Sequence, residues 1–310
     1  MGCKQQTQKE VNSKNTNIKE DLKTISSMDY TVTTKPIHAI KTQLYKWYSF
    51  YEREMNEERI LNQFELLSDS IVINSMGGNT VKGKKEYRNI LPAYKGTKNA
   101  HNLISVKMNE STGKISAEAK ILFQTIRPDS TNAHMEIGYE ILSTEFDGKN
   151  PPKLQQITIK PLEQQDFNSF EDTYPKNRLS ALMHYWLLNI EQMDGDAEPF
   201  KKLLANNFEL HFSKDNVVTS IEQFEKWIEY AASAVSETNH FPENFEVKIL
   251  EENLYEMDVD FIWRGKSLDG NKLQAITHHK WIVEDDSNAQ FAKIRKMEVS
   301  YKVPFSPLNQ

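Results

Sequence analysis

His101 and His240 stand 139 positions apart, each just ahead of a long stretch of alternating residues. An imidazole titrates near neutrality, so either ring could act as a general base or orient a substrate carbonyl. The plainer alternative is that each ring caps a loop and bonds backbone, and recurrence of the position favours that role. His278 is a third candidate for catalysis. It precedes His279 in a strand-like stretch that also holds Trp281. Neighbours in a strand point to opposite faces, so the two histidines cannot share one metal. No other His or Cys pair has ligand spacing, and neither a metal nor a cofactor is expected. Asp258 and Asp260 share one face of a strand, opposite Met257, Val259 and Phe261. They could form an acid/base couple if that face lined a cavity. The apolar face is the better inner one, which makes the aspartates a solvated surface pair, and Glu118 and Glu136 carry the same ambiguity.

Apolar contact surface comes from Trp47, Tyr48, Tyr51, Tyr185, Trp186, Trp227 and Trp263. With His240 they could line a pocket for an apolar ligand, since pockets are mostly apolar with a few polar groups. Core packing is the competing reading for any helical stripe. The run Gly78-Asn79-Thr80-Val81-Lys82-Gly83-Lys84-Lys85 nearly spells a phosphate loop, but Lys85 has no hydroxyl for magnesium. It reads as a turn before a helix.

The elements that must position these residues come in one order, used twice. Ile40, Leu44, Trp47, Tyr48, Tyr51 and Met55 form a helical stripe. A short helix from Asn56 to Phe64, a strand from Ser70 to Asn74 and a helix from Lys84 to Leu91, stopped by Pro92, follow. The period then changes to two in Lys114–Ile126, Met135–Ile141 and Leu154–Ile159, the mark of strands with one buried face. The second half repeats this: a stripe of Leu179, Leu182, Met183, Trp186 and Ile190, a break at Asp194-Gly195-Asp196, a strand Phe208–Phe212 and a helix Ser220–Ala232. Strands are expected at Asn244–Leu250, Tyr255–Trp263, Gln274–Val283 and Phe291–Val303, with Arg295, Met297, Val299, Tyr301 and Val303 on one face. Leu66-Leu67 matches Leu203-Leu204 at a shift of 137, and Glu145 matches Glu284 at 139. Such constancy points to duplication. Helices followed by antiparallel strands make the fold class α+β. The expected organisation is a polar tether (1–36), a first domain (37–163), a linker (164–175) and a second domain (176–306).

The 310 residues suffice for two domains, and 38% hydrophobic content gives each a core. Net charge is −6, and no Lys/Arg block marks the folded part, so nucleic acid is not an expected partner. No apolar run is long enough for a transmembrane span. The single cysteine, Cys3, excludes an internal disulfide. Met1-Gly2-Cys3 ahead of a polar tether resembles the mature start of a bacterial lipoprotein, with Cys3 lipidated, the signal peptide outside this sequence and the protein in the cell envelope. Gln6 departs from the myristoylation pattern. A cytoplasmic protein is the alternative.

Tyr45-Lys46-Trp47-Tyr48 through Asn74, Gly83 to Leu91 and Asn99-Ala100-His101 resemble the nuclear transport factor two-like superfamily, which includes SnoaL-like proteins. His184-Tyr185-Trp186 through Phe212, Thr219 to Ile228 and Thr238-Asn239-His240 repeat the likeness, over roughly residues 38–162 and 176–304. His240 with Asn244 (H-x-x-x-N) is similar to a recurring SnoaL-like start of the long strand, and Ser105 departs from it in the first unit. The resemblance implies two cone-shaped units, each a curved antiparallel sheet with helices over its concave face, and a small-molecule pocket inside. Its known members are isomerases, cyclases, hydratases, ligand binders and assembly modules, and many pair through sheet faces. Here the two units could pair internally or the chain could form a homodimer. The family's enzymes commonly use a pocket aspartate, and no residue of this sequence matches it.

The expected function is therefore binding of a small apolar molecule. Isomerase, cyclase or hydratase chemistry on an apolar carbonyl or enol is the first alternative, and a protein-interaction module the second. The sequence does not decide which of the two pockets is kept.

Overall fold

A computed structural model describes residues 33–308. Cys3 and nearly all of the tether lie outside the described residues. The first unit opens with α1 (Lys35–Tyr51), with Pro36 in its first turn, where the missing N–H costs nothing. Helix α2 (Glu57–Glu65) follows, capped by the Asn56 side chain on Arg59 N–H. Then come β1 (Leu67–Asn74), β2 (Thr80–Lys82) and α3 (Gly83–Ile90), which runs into a 3₁₀ turn at Leu91–Tyr94. Four long strands complete the unit: β3 (Lys98–Ser111), β4 (Lys114–Ile126), β5 (Asn132–Glu145) and β6 (Leu154–Gln164). The run 78–85 holds the end of a turn, the strand β2 and the start of α3, so the turn expected there is confined to its first residues. Gly83 takes φ +75 at the junction, and Lys84 bonds Asp69 rather than lining a phosphate loop.

The second unit repeats the plan with α4 (Tyr174–Ile190), α5 (Glu198–Lys201), β7 (Leu204–Ser213), β8 (Asn216–Val218), α6 (Ile221–Ala234), β9 (Val235–Glu251), β10 (Leu254–Ser267), β11 (Lys272–Glu284) and β12 (Lys293–Pro307). The sheets have matching orders, β2-β1-β6-β5-β4-β3 and β8-β7-β12-β11-β10-β9. All pairs are antiparallel except β1 with β6 and β7 with β12, so each sheet is mixed. Period-two burial puts Ile115, Ala117, Ala119 and Ile121 of β4 and Met257, Val259 and Phe261 of β10 against the helices. Asp258 and Asp260 face the other way.

One expected face is corrected. Arg295 is exposed, while Ile294 and Met297 are buried. Register shifts between Ile282 and Val283, and between Ile294 and Lys296, insert an extra residue and flip the alternation.

Helices α1 and α4 pack on each other and join the units. Almost every residue of α4 is buried, because its own sheet covers one side and α1 the other. Leu188 of α4 belongs to the core of the first unit. Trp186, Phe200, Phe224 and Trp281 fill the second core. Truncating one such aromatic costs about 3–5 kcal/mol.

Candidate functional site

Each long helix ends on a buried glutamate. Glu52 closes α1, and Glu191, 139 positions on, closes α4. A buried carboxylate is stable only when hydrogen-bonded. Glu52 Oε1 accepts from His101 N (2.8 Å), Thr173 Oγ1 (2.7 Å) and Asn177 Nδ2 (2.8 Å), and His101 Nδ1 lies 3.1 Å away. Thr173 and Asn177 come from the second unit, at the start of α4. Glu191 is the mirror case. Its Oε1 accepts from His240 N (2.7 Å), with His240 Nδ1 at 3.1 Å and His38 Nε2 at 3.2 Å, and its Oε2 accepts from Thr34 Oγ1 (2.7 Å). Thr34 and His38 come from the start of α1. Each unit thus supplies donors for the other's buried acid.

The two carboxylates differ in one respect. Both oxygens of Glu191 are bonded. Burial disfavours its charge, but His38 and His240 outweigh that and hold its pKa down to about 2. Glu52 Oε2 is buried with no hydrogen-bond partner among the described residues. A cleft of about 920 Å³ is lined by Tyr51, Glu52, Met55, Ile60, Leu91 and Tyr94, with Arg53, Lys95, Lys98 and Phe170 among its further lining residues, although the Glu52 side chain itself is fully buried. The same place in the second unit holds about 10 Å³, between Asn189, Ile190, Met193, Gly195, Ile228, Ala231 and Ala232.

The cause is local. Helix α3 ends at Ile90, because Pro92 cannot continue it, and the chain leaves through the 3₁₀ turn and a loop at Gly96 (φ +74). Helix α6 has no proline and runs to Ala234, so its last turns cover the α4 terminus.

Among the sequence-derived candidates, Tyr51 lines the cleft, and its hydroxyl lies 2.6 Å from that of Tyr87. Burial pushes the Tyr51 hydroxyl well above its ordinary pKa, and Tyr87 and Tyr94 add to the effect. Trp47 and Tyr48 are buried in the core of the first unit, with the Tyr48 ring stacked 5.3 Å from His101. Tyr48 Oη has no hydrogen-bond partner among the described residues. Tyr185 packs on Phe291 (4.6 Å). Trp186 meets Trp281 (5.6 Å), Trp227 stacks on Phe212 (3.6 Å) and Trp263 meets Phe305 (4.7 Å). The Trp263 ring lies over Gly265, where a Cβ would come within 2.3 Å of it. These aromatics are spread over separate clusters, and only the first three gather around one site.

His101 and His240 each bond a buried glutamate. His278 lies on the outer sheet face, with Nδ1 2.9 Å from Asp260 Oδ1, and Lys302 Nζ (2.6 Å) and Asn244 Nδ2 (2.8 Å) bond the other oxygen. Asn244 sits at a bulge with φ +52, and Ser105 occupies the corresponding bulge of β3. His279 faces inward and is half-buried, and desolvation of its ring pulls its pKa down to about 3, with His240 and His278 adding to the shift. Sequence reasoning missed Glu52, Glu191, Thr34 and Thr173. The signal was present: each pair recurs at the 139 shift of the histidines.

The element order and sheet order are the same in the two units, as the resemblance to the nuclear transport factor two-like, SnoaL-like fold implies. No family model matches the sequence, and no curated protein matches it. Among solved structures the chain is similar to a hexachlorocyclohexane dehydrochlorinase, LinA type 3, from Novosphingobium barchaimii LL02 (10% identity, 43% of this chain and 88% of that one, TM-score 0.38). It is also similar to a nuclear transport factor 2-like superfamily protein from Salmonella enterica serovar Typhimurium LT2 (11% identity, 42% and 93%, TM-score 0.37). A third is a protein with a cystatin-like fold from Caulobacter vibrioides (8% identity, 41% and 89%, TM-score 0.35).

Proposed function

We propose that the first unit binds a small, largely apolar molecule and that the second unit is its structural partner. The observation that carries this is the cleft of about 920 Å³ beside Glu52. Its volume is in the range of small-molecule pockets, and Tyr51, Met55, Ile60, Leu91 and Tyr94 give it apolar walls. On this reading a small movement of the cleft wall uncovers Glu52 Oε2, whose side chain is fully buried, and the preferred ligand carries a hydroxyl or amine to meet it. The second unit holds the other oxygen in place through Thr173 and Asn177.

The test is a thermal-shift series on the full chain with aromatic alcohols, sterols, fatty acids and small enones, each alcohol paired with its methyl ether. A ligand at about a hundred times its Kd adds about 2.7 kcal/mol to stability. Alcohols should raise the midpoint more than their ethers, and Glu52→Gln should erase the difference. A blank across all classes would refute ligand binding.

A second reading rests on the same free oxygen. On that reading Glu52, held by His101, takes a proton from the bound ligand once the cleft wall uncovers Oε2, which suits isomerisation or dehydration of an apolar carbonyl or alcohol. Turnover unchanged in Glu52→Gln would exclude it.

A further inference from the structure

Where the units meet, a small second pocket of about 30 Å³ lies between α1, α2, the start of α4 and the loop before β12. Its lining includes Lys46, Arg59, Arg178, Ser287, Ala289 and Gln290, and no acidic side chain is part of it. Arg178 is fully engaged. Its Nε bonds Asp285 (2.8 Å), and its Nη atoms bond the carbonyls of Gln290 (3.0 Å), Asp286 (3.0 Å) and Ala289 (2.7 Å). Arg59 bonds the carbonyls of Ser287 (2.7 Å), Ser49 (3.1 Å) and Phe50 (2.9 Å), but its Nε is buried and has no partner. Lys46 Nζ sits 4.6 Å from the centre of the Phe291 ring, and Lys202 Nζ sits 5.4 Å from that same centre. The Lys46 ammonium has no hydrogen-bond acceptor among the described residues.

Four cations thus converge near one pocket, and the one carboxylate bonded to any of them, Asp285, is shared with Tyr174 Oη. Burial, Lys202 and Arg178 together pull the Lys46 ammonium down to about 7, against the opposing pull of Glu65. The matching positions of the other unit carry Tyr185 for Lys46 and Ala39 for Arg178, so duplication of the fold does not account for the charge.

We propose that this pocket is an oxyanion site, in which a carboxylate or phosphate group is held between the Lys46 ammonium and Arg59 Nε. The room is that of about two water molecules, enough for the head of a carboxylate but not for a bulky ligand. The bound group would satisfy the orphan Arg59 Nε, restore the charge of Lys46 and tie α1 and α2 to the loop before β12. The proposal is independent of the cleft.

The test uses the full chain titrated with acetate and with inorganic phosphate, against chloride at matched ionic strength. The readouts are the thermal midpoint and the ¹³C shift of the Lys46 ε-carbon. At least one oxyanion should raise the midpoint saturably and move the Lys46 titration upward. Acetate and phosphate arms separate a carboxylate site from a phosphate site. Lys46→Met should weaken binding by about tenfold or more, the value of one charge-assisted hydrogen bond, and Lys46→Arg should keep it. If neither oxyanion acts beyond chloride, or if Lys46→Met binds as the wild type does, the proposal fails. The wild-type titration and Lys46→Arg decide the matter if Lys46→Met does not fold.

Discussion

The helix after the short hairpin ends at Ile90 in the first unit and at Ala234 in the second, and that difference separates an open cleft from a closed core. Both units share a sheet order, a long helix and a buried glutamate met by a histidine. What diverged is small and local. Pro92 ends one helix early, and Ala231 and Ala232 continue the other over the mouth. The buried acids follow suit: Glu191 has both oxygens bonded, while Glu52 keeps one without a partner among the described residues. A duplicated fold can thus assign ligand space to one copy and stability to the other without changing its topology. Because each acid draws donors from the opposite unit, the two copies remain energetically tied.

The comparison breaks most visibly at the second core. Trp281→Ala should cost about 3–5 kcal/mol in urea unfolding, since Trp281 is fully buried against Trp186. Tyr94→Ala, on the cleft wall and 37% exposed, should cost about 1 kcal/mol or less. Equal losses would mean the two units do not differ as described.

A smaller effect should separate the glutamates. Glu191→Gln should cost about 3 kcal/mol, because it disrupts a buried carboxylate whose oxygens both serve the fold. Glu52→Gln should cost less, because one of its oxygens bonds nothing among the described residues. The reverse order in urea unfolding would contradict the assignment of roles.

The smallest effect is a pH dependence. His279 is neutral in the fold, with a pKa near 3 against 6.5 for the free group, so the unfolded chain takes up its proton first. Stability should therefore fall as pH drops from 6.5 toward 3. Burial of His184 acts in the same direction. Glu191 adds stability that is present above its ordinary pKa of 4.5 and lost as pH falls toward 2. The His279→Gln variant should show a shallower decline between pH 6.5 and 4.5, measured as the urea midpoint. An unchanged slope would show that His279 is not held neutral.

Much of the fold was legible because periodicity is a direct consequence of burial. The strand Lys114–Ile126 has the bounds its alternation implies, and α6 begins just after Ser220, whose hydroxyl caps it. The start of β9 was not legible. Residues 235–243 lie in an edge strand with both faces partly wet, so alternation is absent, and Pro242 is tolerated there. The face of β12 was misread because bulges leave no mark in a period-two pattern. The glutamates were missed because a charged residue at a helix end reads as solvated, and the partners that stabilise the buried carboxylates include Thr34 and Thr173 of the opposite unit. Pro92 was visible as a helix stop. Its consequence, a cleft in one unit only, needs both units side by side.

The most direct test of that asymmetry is a fluorescence titration of the full chain with 1-anilinonaphthalene-8-sulfonate, run beside Met55→Trp. Met55 lines the cleft, and a tryptophan there would narrow it. One dye per chain, bound more weakly in Met55→Trp without a change in thermal midpoint, is the expected result. Two equivalent sites, no site, or an affinity unchanged in Met55→Trp would contradict the claim that the first unit alone keeps an open pocket.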